Sequence, residues 1–341
     1  MTTRIFTLPG QLHLPTAIAA SRALHALEPG DAYVIDFGEL RFVQPFGMLL
    51  FAAQLRRFVA AHPTATIEYR HYEAHGYPAH MGFFQACGIE FGKQMGEAPG
   101  SAHYIPITRL GIAELEADAA ENYEDARETI ERRSGQLSTV LTREEQGPLH
   151  ETLTYALREI FRNVLEHSSA EAIFYAAQHW PERKLVELAI LDEGKGIATS
   201  LRRNPHIRIE SDQEALRLAI LPGISGVAFK GARKKRNDAW ANSGYGLFMT
   251  SQLCQRGGSF VIGSGDALLK IEQDSYEDHE LAFPGTLIRL RFKTDQIEDL
   301  SQSLEALRKQ GADIAGTLAA EANLSASMSS RMLMLNQQIK D

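Results

Sequence analysis

The chain has 341 residues, more than one ordinary core requires and about right for two domains. Hydrophobic residues make up 44% and charged residues 23%, ordinary for a soluble globular protein. The formal net charge of −8 argues against the basic surface that broad nucleic-acid binding requires. Strand and helix signals alternate through the first third. Ile5 to Leu8 reads as a strand ended by Pro9-Gly10, and Pro15 to Leu27 as a helix with proline in its first turn. Ala32 to Phe37 reads as a buried strand after the turn at Pro29-Gly30-Asp31. Pro45 opens an apolar helix to Val59, with Met48, Leu49, Phe51, Ala52, Leu55 and Phe58 on its inner face. Thr66 to Tyr72 is a further strand, and Gly82 to Gly88 a short helix.

Residues 110–145 read as an acidic helical connector, loosely periodic at Leu115, Ala119, Tyr123 and Ile130, and hence as a solvated linker helix rather than a partner-binding one. The second half reads as helix (149–168), strands (171–178 and 185–192), a long mixed stretch with a helical piece at 213–220, helix (246–256) and strands (259–263 and 286–292). That order predicts a mixed, mostly antiparallel sheet covered by helices on one face. The last piece, 296–341, starts helical at Leu300, Leu304 and Leu307 and then thins into Ser, Ala and Met. The domain expectation is therefore 1–108, connector 109–147, 148–295, and a C-terminal helix and tail 296–341.

Two cysteines, Cys87 and Cys254, sit among apolar residues and leave no disulfide framework, as suits a reducing cytoplasm. No stretch nears the ~20 apolar residues that span a bilayer, and Met1-Thr2-Thr3-Arg4-Ile5 opens no signal peptide. A cytoplasmic protein without membrane insertion is expected. His71, His75 and His80 carry no metal reading, because Gly76 and Pro78 break helical geometry and no carboxylate set completes a site. His150-Glu151 lies on the helix that carries the candidate site, and the connector has no histidine, which argues against a sensor histidine kinase.

In the first hundred residues, the Val34-Ile35-Asp36-Phe37 strand, the Phe42-Val43 step and the helix start at Gly47 resemble a STAS domain, the fold of anti-sigma-factor antagonists. That resemblance implies a protein partner or self-association. The family often carries a phosphorylatable hydroxyl at this helix start. Here the segment is Gln44-Pro45-Phe46-Gly47, so no phosphorylation switch is expected there.

Four pieces of the second half carry chemistry. Glu159, Asn163 and His167 recur every four residues on one helix face. Ile190-Leu191-Asp192-Glu193-Gly194-Lys195-Gly196-Ile197 runs an apolar strand into a carboxylate, then into two glycines that permit close backbone approach. Asn242-Ser243-Gly244-Tyr245-Gly246-Leu247 feeds a helix N-terminus, a ready anion site. Phe283-Pro284-Gly285-Thr286 turns into a strand that starts with a hydroxyl. In this order they resemble the N-box, the two glycine boxes and the closing Gly-Thr strand of the GHKL (Bergerat-fold) ATP-binding superfamily, over about residues 149–293. This group includes gyrase B subunits, histidine kinases and anti-sigma-factor kinases.

The resemblance implies ATP with Mg²⁺. Asn163 would ligate the ion, Asp192 accept from the adenine amino group, and Gly194, Gly196 and Ile197 lie along the base. Ser243, Gly244, Tyr245, Gly246 and Leu247 would form the lid hinge and phosphate cradle, and Thr286 would reach adenine directly or through water. Glu159 matches the general base of members that hydrolyse ATP or phosphorylate serine. Lys230 opens a basic run to Arg236 inside the candidate lid, read as phosphate contact, as a solvated loop or as a nucleic-acid patch. Three activities share this pocket: a slow Mg-dependent ATPase switch whose lid controls protein partners, an anti-sigma-type serine kinase, and a nucleotide-binding adaptor without turnover.

Overall fold

A computed structural model describes residues 2–226, 245–255, 257–297 and 300–321. The fold is mixed α/β with several sheets. The first sheet is parallel, in the order β1-β3-β5 (Thr3–Thr7, Ala32–Asp36, Thr66–Arg70). A two-residue parallel pair, β2 (Gln11–Leu12) with β4 (Phe42–Val43), leads into the helices. Helices α1 (Leu14–His25) and α2 (Pro45–Ala61) pack on each other. Short helices α3 (Gly76–His80) and α4 (Phe83–Ala86) follow β5. Proline in the first turn opens both α1 and α2, where its missing N–H costs nothing.

The second sheet has five strands, all antiparallel, in the order β6-β7-β8-β10-β9: Tyr104–Gly111, Ala172–Trp180, Leu185–Asp192, Ser275–Lys293 and Ser259–Glu272. Side chains alternate along each strand. Ile173, Tyr175, Val186, Leu188, Ile190, Ile288 and Leu290 face one core with α7 (Pro148–Asn163) and α10 (Gly246–Gln255). Ala176, Ala189, Leu191, Val261 and Leu287 face a second core with Phe46, Leu49 and Phe51 of α2. The expectation of helices on one face is therefore corrected: α2 of the first half covers the other face. A sheet apolar on both sides must bury both.

Residues 110–145 also differ from a solvated linker. Tyr104–Gly111 is an edge strand of the second sheet, paired with β7. The rest forms α5 (Ile112–Glu121) and α6 (Ala126–Thr142), which bury Leu115, Ala119, Ile130 and Leu141. Helix α6 packs against α7. Its charges pair locally: Arg132 reaches Asp118 at 2.8 Å and Glu124 at 3.1 Å, and Arg133 reaches Asp118 at 2.6 Å.

The two last strands are longer than expected. β9 and β10 run on as a hairpin beyond the predicted 259–263 and 286–292, turning at Gln273, which takes a left-handed φ of 50°. Helices α8 (Ile197–Leu201) and α9 (Asp212–Ala219) pack on each other and against β9, and α11 (Leu300–Glu321) packs on α10 and α7. No helix of the described residues is long and apolar enough to cross a membrane.

Candidate functional site

Helix α7 has a strongly apolar stripe (Leu153, Ala156, Leu157, Ile160), and its cavity-facing residues continue that side. Its last turn widens into a π-turn over Val164–Ser168, closed by the Ser168 hydroxyl donating to the Val164 carbonyl at 2.8 Å. The wider turn carries Asn163 and His167 to the same cavity, which Ile160, Val164 and Ser168 also line. π-turns of this kind occur often at functional sites.

The end of β8 forms the opposite wall. Ile190 and Asp192 face α7, and Thr286 pairs with Asp192 across the β8–β10 ladder. The Asp192 carboxylate accepts the Gly194 N–H at 2.9 Å and further hydrogen bonds from the Thr286 hydroxyl and N–H. Asp192 is only 2% exposed. Burial pushes its carboxyl up to about 6, against those hydrogen bonds, which favour the charged form.

Glycines are required where the backbones close on this carboxylate. A Cβ on Gly194 would run into the Ser168 carbonyl, at the point where the Lys195 N–H donates to that same carbonyl at 2.8 Å. Gly196 holds a φ of 76°, and a Cβ there would meet Ser264 Oγ at 2.7 Å and the Pro284 carbonyl at 2.8 Å. The freed Ile197 N–H donates to Ser264 Oγ at 2.9 Å. A Cβ on Gly285 would strike the Asp192 carbonyl. Gly285→Ala is therefore expected to spread the β8 and β10 ends and to cost about 1–3 kcal/mol of stability, measured by urea unfolding.

The sequence-predicted residues divide as follows. Asn163, Asp192, Gly196, Ile197, Gly246, Leu247 and Thr286 line one cavity. Gly194 lies behind Asp192 and supports it. Tyr245 packs against α11, where a Cβ on Gly311 would lie 2.8 Å from its ring. Glu159 sits beside the cavity rather than in it: a Cβ on Gly246 would strike its carboxylate. That carboxylate is buried and ion-paired with Arg158 at 3.1 Å and Arg162 at 3.6 Å. Lys230, Ser243 and Gly244 lie outside the described residues.

Sequence reasoning missed the wall made by Ser200, Leu201, Arg203, Ala219 and Ile224 to Gly226. Arg203 is the one Lys or Arg among the described lining residues. It lies near enough to Lys195 and His167 to disfavour their charged forms, after burial, which lowers both groups first. The signal available was the Arg202-Arg203 pair just after the glycine segment's helix. The cavity volume is ≈ 100 Å³, with the helix start at Gly246 on its wall. Among the described residues no group of three His, Cys, Asp or Glu is placed to hold a metal ion by itself. Compared with family models, curated proteins and solved structures, the chain finds no match.

Proposed function

We propose that the chain binds Mg-ATP in this cavity, as a GHKL-type (Bergerat) nucleotide switch whose first half is a STAS-like protein-interaction domain. The supporting observation is convergence. Asn163, Asp192, Gly196, Gly246 and Thr286 come from four segments and wall one small cavity around a buried carboxylate. A buried aspartate at a strand end, beside glycines that let a flat ring approach, is a suitable acceptor for an exocyclic amino group.

In this reading Asp192 holds the adenine amino group, and Thr286 fixes the carboxylate that accepts it. The phosphates extend past the base toward Asn163 and the N-terminus of α10, where free N–H groups and the helix dipole favour an anion. Arg203 adds a cation on the cavity wall. An amide oxygen at Asn163 fits Mg²⁺, which keeps most of its waters and takes few protein ligands. The ion would neutralise phosphate charge. Glu159 would orient water for attack on the γ-phosphate. Its carboxylate is shared with Arg158 and Arg162, which diverts its lone pairs, so turnover is expected to be slow.

The test is titration of the full chain with ATP, with and without Mg²⁺, followed by phosphate release. Binding that depends on Mg²⁺ is expected. Glu159→Gln should keep affinity within about threefold and lose about 10²-fold or more of phosphate release, the usual scale for a positioned general base. Absence of Mg-dependent uptake by the wild type overturns the proposal.

A further inference from the structure

Strand β10 loses its pairing register twice, between Glu280 and Phe283 and again between Phe283 and Thr286. These slips bring Gly285 beneath the Asp192 carbonyl and the Pro284 carbonyl onto Gly196, so they shape the floor of the cavity. Backbone carbonyls that leave a ladder need other partners. Here the partners come from the first half of the chain. Arg22 of α1 donates Nε to the Glu280 carbonyl at 2.9 Å. Gln54 of α2 donates Nε2 to the Ala282 carbonyl at 2.8 Å, and Arg57 donates Nη1 to the same oxygen at 3.1 Å. The Arg57 guanidinium also lies 5.9 Å from the centre of the Phe283 ring.

Gln54 is 1% exposed, and His25 Nε2 lies 2.9 Å from its Oε1, which fixes the amide from α1. One residue after the next on α2, Arg56 holds the other wall. Its Nη2 reaches Glu193 Oε1 at 2.9 Å, next to Asp192, and its Nη1 donates to the Ala86 carbonyl. The two segments that bear Asp192 and Thr286 are thus both tied to one helix of the first half.

We propose that α2 is a positioning element for the cavity, with Gln54, Arg56 and Arg57 setting the spacing of segments 192–197 and 282–288. Any event that shifts α2, such as a partner engaging the first half, then changes affinity at the cavity, and a ligand there tightens the seat of α2 by the same factor. The identity of that ligand rests on the Mg-ATP reading. The coupling itself does not.

The experiment uses the full chain and three variants: Arg56→Ala, Arg56→Lys and Gln54→Leu. Amide hydrogen exchange is followed without nucleotide, and Mg-ATP affinity is then titrated. Arg56→Ala is expected to raise exchange at 192–197 and 282–288 about tenfold, with α9 unchanged. Its Kd for Mg-ATP is expected to rise about five- to tenfold, a typical coupling between sites. Arg56→Lys should restore most of both, because it keeps the charge opposite Glu193. Gln54→Leu should act in the same direction, most strongly at 282–288. The Arg56–Glu193 side chains are 31% and 39% exposed, so Arg56→Ala is expected to fold even if Gln54→Leu does not. Unchanged exchange at both segments in folded Arg56→Ala overturns the proposal. If the wild type takes up no Mg-ATP but exchange rises as described, the nucleotide reading fails and the positioning role stands.

Discussion

Asp192→Asn is expected to make the protein more stable at pH 7 and to weaken its hold on Mg-ATP. The two effects have one cause. The Asp192 carboxyl rises from its ordinary 3.8 to about 6 because it is buried. At about 1.4 kcal/mol per pH unit, keeping it ionised in the folded state costs about 3 kcal/mol. The amide removes that cost but weakens the bonds from Gly194 and Thr286, so a net gain of about 1–2 kcal/mol is expected. The sign follows from the raised value. Stability from this group is full below pH 3.8 and is lost as pH rises through about 6. The gap between variant and wild type should therefore be wide at pH 7 and close by pH 4, read from urea midpoints. A gap that is constant over this range would sink the assignment. Ligand behaves oppositely. An amide NH₂ turned toward an adenine amino group sets donor against donor, and the lost charged acceptor costs about 3 kcal/mol, roughly a hundredfold in Kd. In the wild type, affinity should fall as pH drops through about 6, because the neutral carboxyl is the weaker acceptor.

How far the sequence made this legible depends on whether a feature is local. Asp192 with Gly194 and Gly196, and Asn163 one turn beyond Glu159, are chain-local arrangements, and the cavity gathers all of these save Gly194, behind Asp192, and Glu159, at its rim. Boundaries of β8 and α10 were readable for the same reason. Arg203 and the 224–226 wall were not, because their position depends on how the chain packs after α8. The cover on the second sheet face does leave a local signal. Leu188 to Leu191 is apolar without alternation, the mark of a strand buried on both sides. The connector misled because its buried face includes Thr129, Ser134 and Ser138, small polar residues that look solvent-facing on paper. Arg132 and Arg133 pair with Asp118 and Glu124 within the same segment. The hairpin extension was hidden by Glu277, Asp278 and Glu280, which place charges on a strand's exposed positions.

Glu187→Gln is expected to cost about 3–5 kcal/mol of stability. Glu187 is fully buried, in the middle of β8, on the face that meets α2. Its Oε2 accepts Arg289 Nε at 2.9 Å and Arg291 Nε at 2.7 Å, and its Oε1 accepts the Phe46 N–H at 3.2 Å. Arg291 reaches on to Gln44 Oε1 at 2.8 Å. The N-cap residue of α2, Gln44, makes no side-chain cap of its own. A carboxylate from the other half of the chain therefore serves the helix N-terminus, where the dipole favours negative charge. Removing that charge leaves two guanidiniums facing each other, with Arg289 almost wholly buried, and uncaps α2 at once. Burial alone would raise the Glu187 carboxyl. The charges of Arg289 and Arg291, with the bonds from Arg291 and Phe46, outweigh it and hold the group below its ordinary 4.5. Its stabilisation is thus present above pH 4.5 and is lost as pH falls through the depressed value, opposite in sign to Asp192. Urea unfolding at pH 7 should show the loss directly, and a cost under about 1 kcal/mol would mean the two guanidiniums find other partners. Replacing Glu187, Arg289 and Arg291 together with Leu, Met and Leu should recover much of the loss, because an apolar trio needs no compensating charge. It would not recover the cap on α2, so the seat of that helix should stay looser than in the wild type.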